Sequence, residues 1–98
     1  MMVRAKINGV VVAEAEKTEI VEGNHYFPPD AVRDELLTDS SLHTTCPWKG
    51  VANYYDLEID GEVIRNAAWY YPNTKPAAKQ VEGYVAFYRN KGVEIELI

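Results

Sequence analysis

Val3, Ala5 and Ile7 alternate with Arg4, Lys6 and Asn8, the period of two that marks a half-buried strand. Asn8-Gly9 follows, a pair suited to the two positive-φ positions of a type I′ turn, so Val10 to Glu16 is expected to return as a second strand. A short strand over Glu19 to Glu22, a turn at Gly23-Asn24 and an aromatic strand His25-Tyr26-Phe27 come next. Pro28-Pro29 ends that strand and opens the one predicted α-helix, Pro29 to Leu37. Proline suits a first helical position because its missing N–H has no intrahelical partner there. Asp30 complements the helix dipole, and Val32 and Leu36, four apart, share a face. A helix this short depends on packing against a sheet.

The second half reads as strands. Leu42 to Cys46 leads into a bend at Pro47-Trp48-Lys49-Gly50. Val51 to Ile59 and Glu62 to Tyr71 flank Asp60-Gly61, another two-residue turn. Uninterrupted pairing across that turn places Leu57 opposite Ile64, Asp56 opposite Arg65 and Ala52 opposite Trp69, an apolar and an opposite-charge pair falling into register. After the loop Pro72 to Pro76, Ala77 to Val81 makes one helical turn. Tyr84 to Arg89 and Val93 to Leu97 are then expected to form a terminal hairpin across Asn90-Lys91-Gly92. The pattern as a whole predicts a mainly β, antiparallel single domain over 1–98 with one short helix, and 98 residues suit one core.

Charge narrows the partners. Asp and Glu outnumber Lys and Arg 15 to 10, a formal charge of −5, and the basic residues are scattered. Nucleic-acid binders draw most of their affinity from clustered cations on phosphates, so no nucleic-acid partner is expected. No apolar run approaches the roughly 18 residues of a membrane span, and the first residues lack the apolar core of a signal peptide; a cytoplasmic address and no membrane partner follow as expectations. Cys46 is the single cysteine and His25 and His43 the only histidines, which leaves a structural zinc site short of ligands. No metal and no cofactor are expected. An unpaired last strand would allow a weak homodimer, but Glu94 and Glu96 discourage edge pairing, so the chain reads as a monomer or a weak homodimer.

Candidate chemistry gathers among the aromatic residues, nine of which fall between Trp48 and Tyr88. Neighbours on a strand point to opposite faces, so Tyr54-Tyr55 and Trp69-Tyr70-Tyr71 cannot all enter one core. They supply either a large core with edge residues or a concave aromatic pocket. Lys49 stands between Trp48 and Gly50 and is the first choice among the cations Lys49, Lys75, Lys79, Arg33 and Arg65 for holding an anion beside those rings. Cys46 ends a strand before a proline. It is either a small buried hydrophobe or a nucleophile, with Lys49 turned back across the bend or His25 brought near by the fold to lower its pKa. There is no Gly-rich phosphate loop, no Gly-x-Ser-x-Gly elbow and no His-Glu-x-x-His helix.

The segments Tyr26-Phe27-Pro28-Pro29, Thr45-Cys46-Pro47-Trp48-Lys49-Gly50, Ala68-Trp69-Tyr70-Tyr71-Pro72 and Gly83-Tyr84-Val85-Ala86-Phe87-Tyr88, in this order and spacing, resemble the family catalogued as domain of unknown function 427. The likeness runs from Val3 to about Leu97. It implies a compact antiparallel β fold similar to the β-tent (Mss4-like) architecture with one short helix. A nucleotidyltransferase-style label also attaches to the family; phosphoryl transfer usually needs carboxylates to place a metal and a cradle for phosphates, and the residues present neither.

Three readings stay open. The first is a module binding a small molecule or peptide at Trp48, Lys49, Tyr54, Trp69 and Tyr71, with Arg33 and His25 as further contacts and Cys46 at its edge. The second is an enzyme using Cys46 as nucleophile or redox centre with Lys49. The third is a protein-interaction domain that pairs through a sheet edge.

Overall fold

In a computed structural model that describes residues 2–98, nine strands form three antiparallel sheets. β1 (Val3–Ile7) lies between β2 (Val10–Ala15) and β9 (Glu94–Leu97). β3 (Glu19–Val21) and β4 (Asn24–Tyr26) make a small hairpin. β5 (Leu37–Cys46), β6 (Gly50–Ile59), β7 (Glu62–Tyr70) and β8 (Val85–Phe87) make the largest sheet, in that spatial order. The chain is mainly β, as its alternating pattern predicts.

Three hairpins share one turn chemistry. Asn8-Gly9, Glu22-Gly23 and Asp60-Gly61 each place two residues at positive φ, the type I′ geometry whose twist matches the flanking strands. The second turn therefore lies one residue earlier than the Gly23-Asn24 position expected from the sequence, with Glu22 at φ 55° in the left-handed region.

Alternation divides the large sheet into two faces. Leu57, Ala68, Val85 and Phe87 pack with Val3, Ala5, Ile7, Val12 and Val93 in a core shared with the β2-β1-β9 sheet. The residues between them point the other way: Ala52, Tyr54, Trp69, Tyr71 and Ala86 gather with Tyr26, Ala78 and Val81 in a second, aromatic cluster. The adjacent tyrosines are split as alternation requires, with Tyr55 and Tyr70 stacked against the first core, their centroids 4.6 Å apart.

Four expectations are corrected. The α-helix over Pro29 to Leu37 is two 3-10 turns, Pro29–Ala31 and Asp34–Leu36, and Leu37 already belongs to β5. Val32 between them is extended and bridges to Ala13, while the Arg33 amide donates to the Val12 carbonyl at 2.9 Å. Pairing with β2 thus claims the backbone groups that a helix would use. β5 begins at Leu37 rather than Leu42; it is a sheet edge, largely exposed, with an irregularity between Asp39 and His43, so its polar residues never alternate. The β6–β7 register also shifts. Leu57 faces Ile64 as expected, but beyond a bulge Tyr54, not Ala52, faces Trp69. Asn66, at φ 52°, forms the kink and donates its amide to the buried Asp56 carboxylate at 2.8 Å. Arg65, the expected partner of Asp56, still pairs with it, a guanidinium nitrogen 3.9 Å from the carboxylate, though the Arg65 side chain is mostly exposed. Finally, β8 and β9 are not a hairpin. β8 pairs with β7, the 3-10 turn Arg89–Lys91 and Gly92 at φ 97° redirect the chain, and β9 crosses to β1 with Leu97 opposite Val3.

Gly50 opens β6 where the chain has no room. It sits at φ 121°, bridges to Thr74, and a Cβ there would lie 2.9 Å from the Asn73 carbonyl oxygen. The Lys75 amide donates to the Lys49 carbonyl at 3.0 Å, which ties the loop after β7 to the Trp48-Lys49 tip. Gly50→Ala adds a clash with backbone to a strained φ and is expected to cost about 2 kcal/mol or more in urea denaturation. Gly61→Ala, with open space around the added methyl, is expected to cost only about 1 kcal/mol. Equal losses in the two variants would show that the approach to Asn73 does not matter.

Candidate functional site

The aromatic face of the large sheet is not fully covered. Over it the β3–β4 hairpin and the turn after β8 leave a cavity of about 280 Å³, open to solvent. Five rings line it, from four strands or their ends: Tyr26 (β4), Tyr54 (β6), Trp69 (β7), Tyr71 just past β7, and Tyr88 just past β8. Tyr26 meets Trp69 edge-on with centroids 6.0 Å apart, and the Trp69 indole donates to the Tyr26 hydroxyl at 3.1 Å. Tyr88 lies 4.3 Å from Trp69 and parallel to Tyr54, and Tyr54 is held from the other side by a 2.8 Å hydrogen bond with Thr44. Four of the five rings are therefore pinned by at least one neighbouring side chain, a preorganised wall rather than a loose cluster.

One end of the cavity is charged. Lys49 reaches it from the three-residue loop between β5 and β6 and is 5% exposed. Its ammonium lies 5.0 Å from the Trp48 ring centroid and 5.5 Å from that of Tyr71, within cation–π range. It also donates to the Glu22 carboxylate at the tip of the β3–β4 hairpin. Burial works against the charge on Lys49, but the bond to Glu22 and the neighbouring Tyr26, Tyr71 and Cys46 groups more than offset it, so its pKa lies above the ordinary lysine value. Lys49 is a cation at neutral pH. The bond from Lys49 and its positive charge, helped by the Trp48 side chain, hold Glu22 below the usual carboxylate range against a smaller opposing effect of burial. Burial raises Tyr71 to about 12 despite the opposing charge of Lys49, and burial likewise raises Tyr26 and Tyr88. The phenols of Tyr26, Tyr71 and Tyr88 stay neutral. Arg89, whose guanidinium approaches the Gly23 carbonyl at 3.4 Å, completes the charged end with Asn24 and Asn90.

Of the residues singled out from sequence, Lys49, Tyr54, Trp69 and Tyr71 line this cavity together. Trp48, 38% exposed, is outside the cavity lining; its ring centroid lies 5.0 Å from the Lys49 ammonium. Cys46 ends β5 opposite Gly50, half-buried against the aromatic cluster but not in the cavity lining. His25 alternates away from the lining residues Asn24 and Tyr26 and bonds Thr18 at 2.6 Å; burial, with a contribution from Arg89, lowers its pKa. Arg33 pairs with Glu35 at 3.0 Å beside β2 and takes no part in the cavity. Neither His25 nor Arg33 joins the basin. The lining residues not anticipated are Glu22, Asn24, Tyr26, Tyr88, Arg89 and Asn90. The aromatic stretch at Tyr26 and the Tyr84-to-Tyr88 run were the signals for two of them; nothing local marked Glu22.

Among the described residues no three His, Cys, Asp or Glu side chains are grouped to hold a metal ion, and no helix is long and apolar enough to cross a membrane. Fold and cavity together define a small antiparallel β protein with one aromatic basin closed at one end by a buried cation. The chain belongs to the family described as domain of unknown function (DUF427), whose model matches residues 1–97. No curated protein matches the sequence at a significant level.

The Glu22–Lys49 bond has a pH signature. A depressed carboxylate pKa contributes stability that is present above the unfolded value, near 4.5, and is lost as pH falls through the lower folded value. The difference in melting temperature between the native chain and Glu22→Gln is therefore expected to be steady above pH 5 and to shrink as the pH drops below 4.5. A difference that is constant down to pH 2 would mean that the ion pair contributes nothing in solution.

Proposed function

We propose that the protein binds a small molecule that combines a flat apolar body with an anionic group, the body lying on the rings of Tyr26, Trp69 and Tyr88 and the anion meeting Lys49 and Arg89. The observation that carries this reading is the convergence of five aromatic rings on an open cavity whose one end holds a buried, protonated lysine. Rings of this kind favour planar ligands, and a cation already removed from water gains more from an anion than a solvated one does. A cavity of about 280 Å³ favours a metabolite-sized ligand over a folded partner. The acidic composition and the single cysteine favour a cytoplasmic setting for this activity.

Recognition rather than covalent catalysis is favoured by the state of the charged groups. Lys49 is protonated and bonded to Glu22, so it has no lone pair to attack with. Cys46 stands outside the lining, and His25 is turned away from it.

A thermal-shift and tryptophan-fluorescence screen with aryl carboxylates, nucleoside monophosphates and tetrapeptides tests the reading. Saturation at 100 times the dissociation constant stabilises by about 2.7 kcal/mol, a shift of several degrees. Planar anions are expected to stabilise the protein and perturb Trp69. Lys49→Met is expected to weaken them about tenfold or more, the effect of losing a hydrogen bond to a charged group, and to leave neutral analogues unchanged. Stabilisation by neutral and anionic analogues alike, unmoved by Lys49→Met, would sink the role given to the cation.

A further inference from the structure

A second cavity, of about 340 Å³, adjoins the first and shares three of its lining residues, Tyr54, Tyr88 and Asn90. The two open on either side of a partition made from the stacked Tyr54 and Tyr88 rings, whose planes differ by 3° with centroids 6.3 Å apart and whose hydroxyls are 3.5 Å from one another. The chemistry of the two sides differs. The first side holds Glu22, Lys49 and Arg89. The second is floored by Leu42, 39% exposed on the β5 edge, and by Thr44, with Lys91 the one charged group in its lining. The first cavity alone falls just short of the roughly 300–1,000 Å³ typical of ligand sites, and its neighbour brings the pair into that range.

We infer that the two cavities are subsites of one site for an amphipathic carboxylate, its anionic head beside Lys49 and Arg89 and its apolar tail carried over the Tyr54–Tyr88 partition onto Leu42. This rests on the ligand-binding reading of the first cavity and extends it to the shape of the ligand. Three observations support it. Glu22 demonstrates that the Lys49 ammonium accepts a carboxylate where it stands, and that bond uses only one of its three protons. Thr44 anchors the partition from the second side through Tyr54, so the rings that form the common wall are held in place from both cavities. Finally, Leu42 is a large apolar side chain left in contact with water beside aromatic faces, and it gains from being covered by a hydrocarbon chain.

The probes are 4-hydroxybenzoate and its butyl ether, 4-butoxybenzoate, titrated into the ¹⁵N-labelled full chain and followed by NMR. Both are expected to shift the Trp69 indole N–H. The butyl ether alone is expected to shift the Leu42 and Thr44 amides, to show intermolecular contacts between its butyl chain and the Leu42 methyls, and to bind about tenfold tighter as its methylenes leave water. If both probes shift Trp69 with equal affinity and neither moves Leu42, the two-subsite inference is overturned and the basin reading stands. If neither probe shifts Trp69, the reading of the first cavity fails and takes this inference with it.

Discussion

The hydrogen bond from the Asn66 amide to the buried Asp56 carboxylate sets which aromatic rings can meet. It holds a bulge between β6 and β7, and the bulge advances the pairing beyond it by two residues, so that Tyr54 rather than Ala52 stands across from Trp69. A two-residue advance keeps every side chain on its own face and changes only its partner. That change puts a tyrosine beside the tryptophan, completes the line Tyr54–Tyr88–Trp69–Tyr26, and leaves the cavity with aromatic walls on several sides. A local polar contact on one edge of the core thereby determines the composition of a site several residues away.

What could be read from the sequence follows the range of the interactions involved. Strand alternation and the Asn8-Gly9 and Asp60-Gly61 turns are local, and the structure contains them. The segment from Pro29 to Leu37 carries local helix signals, yet Val32 and Arg33 pair with β2, some twenty residues earlier, and the long-range pairing decides. The same holds for β9, drawn across to β1 instead of folding back on β8. The bulge was invisible because it depends on a polar contact between Asp56 and Asn66 that hydrophobic patterning does not register. In the site, the residues of the Trp48-Lys49 bend and the β6–β7 hairpin were legible because aromatics flank a cation within a few positions. Glu22 was hidden because its place at the hairpin tip depends on the turn falling at Glu22-Gly23 rather than Gly23-Asn24; alternation along β4 puts Asn24 and Tyr26 on the cavity face and His25 away from it.

The buried ionic group also separates chemistry from recognition. A lysine removed from water is often driven toward neutrality, the state in which it attacks carbonyls. Here Glu22, presented by a turn residue in the left-handed region, reverses that tendency and keeps the ammonium charged. Tyr26, Tyr71 and Tyr88 remain neutral donors and acceptors because burial raises the cost of ionising them. The basin is thus a set of fixed dipoles and rings around the Lys49–Glu22 ion pair, with Arg89 as a second cation in its lining.

The 3-10 turn Arg89–Lys91 sets one cation on each cavity, Arg89 in the lining of the first and Lys91 in that of the second, in a chain whose formal charge is −5. At 0.1 M salt the Debye length is about 10 Å, so the net negative charge is largely screened at greater range and the cations act only on an anion already close to them. Small inorganic anions, with nothing but charge to offer, gain little from such a landscape. An anion that brings apolar surface would gain more, through contact with the rings. On the binding proposed above, the turn and the rings together would favour anions that carry apolar surface over the simple ions of the surrounding solution, without a steric gate.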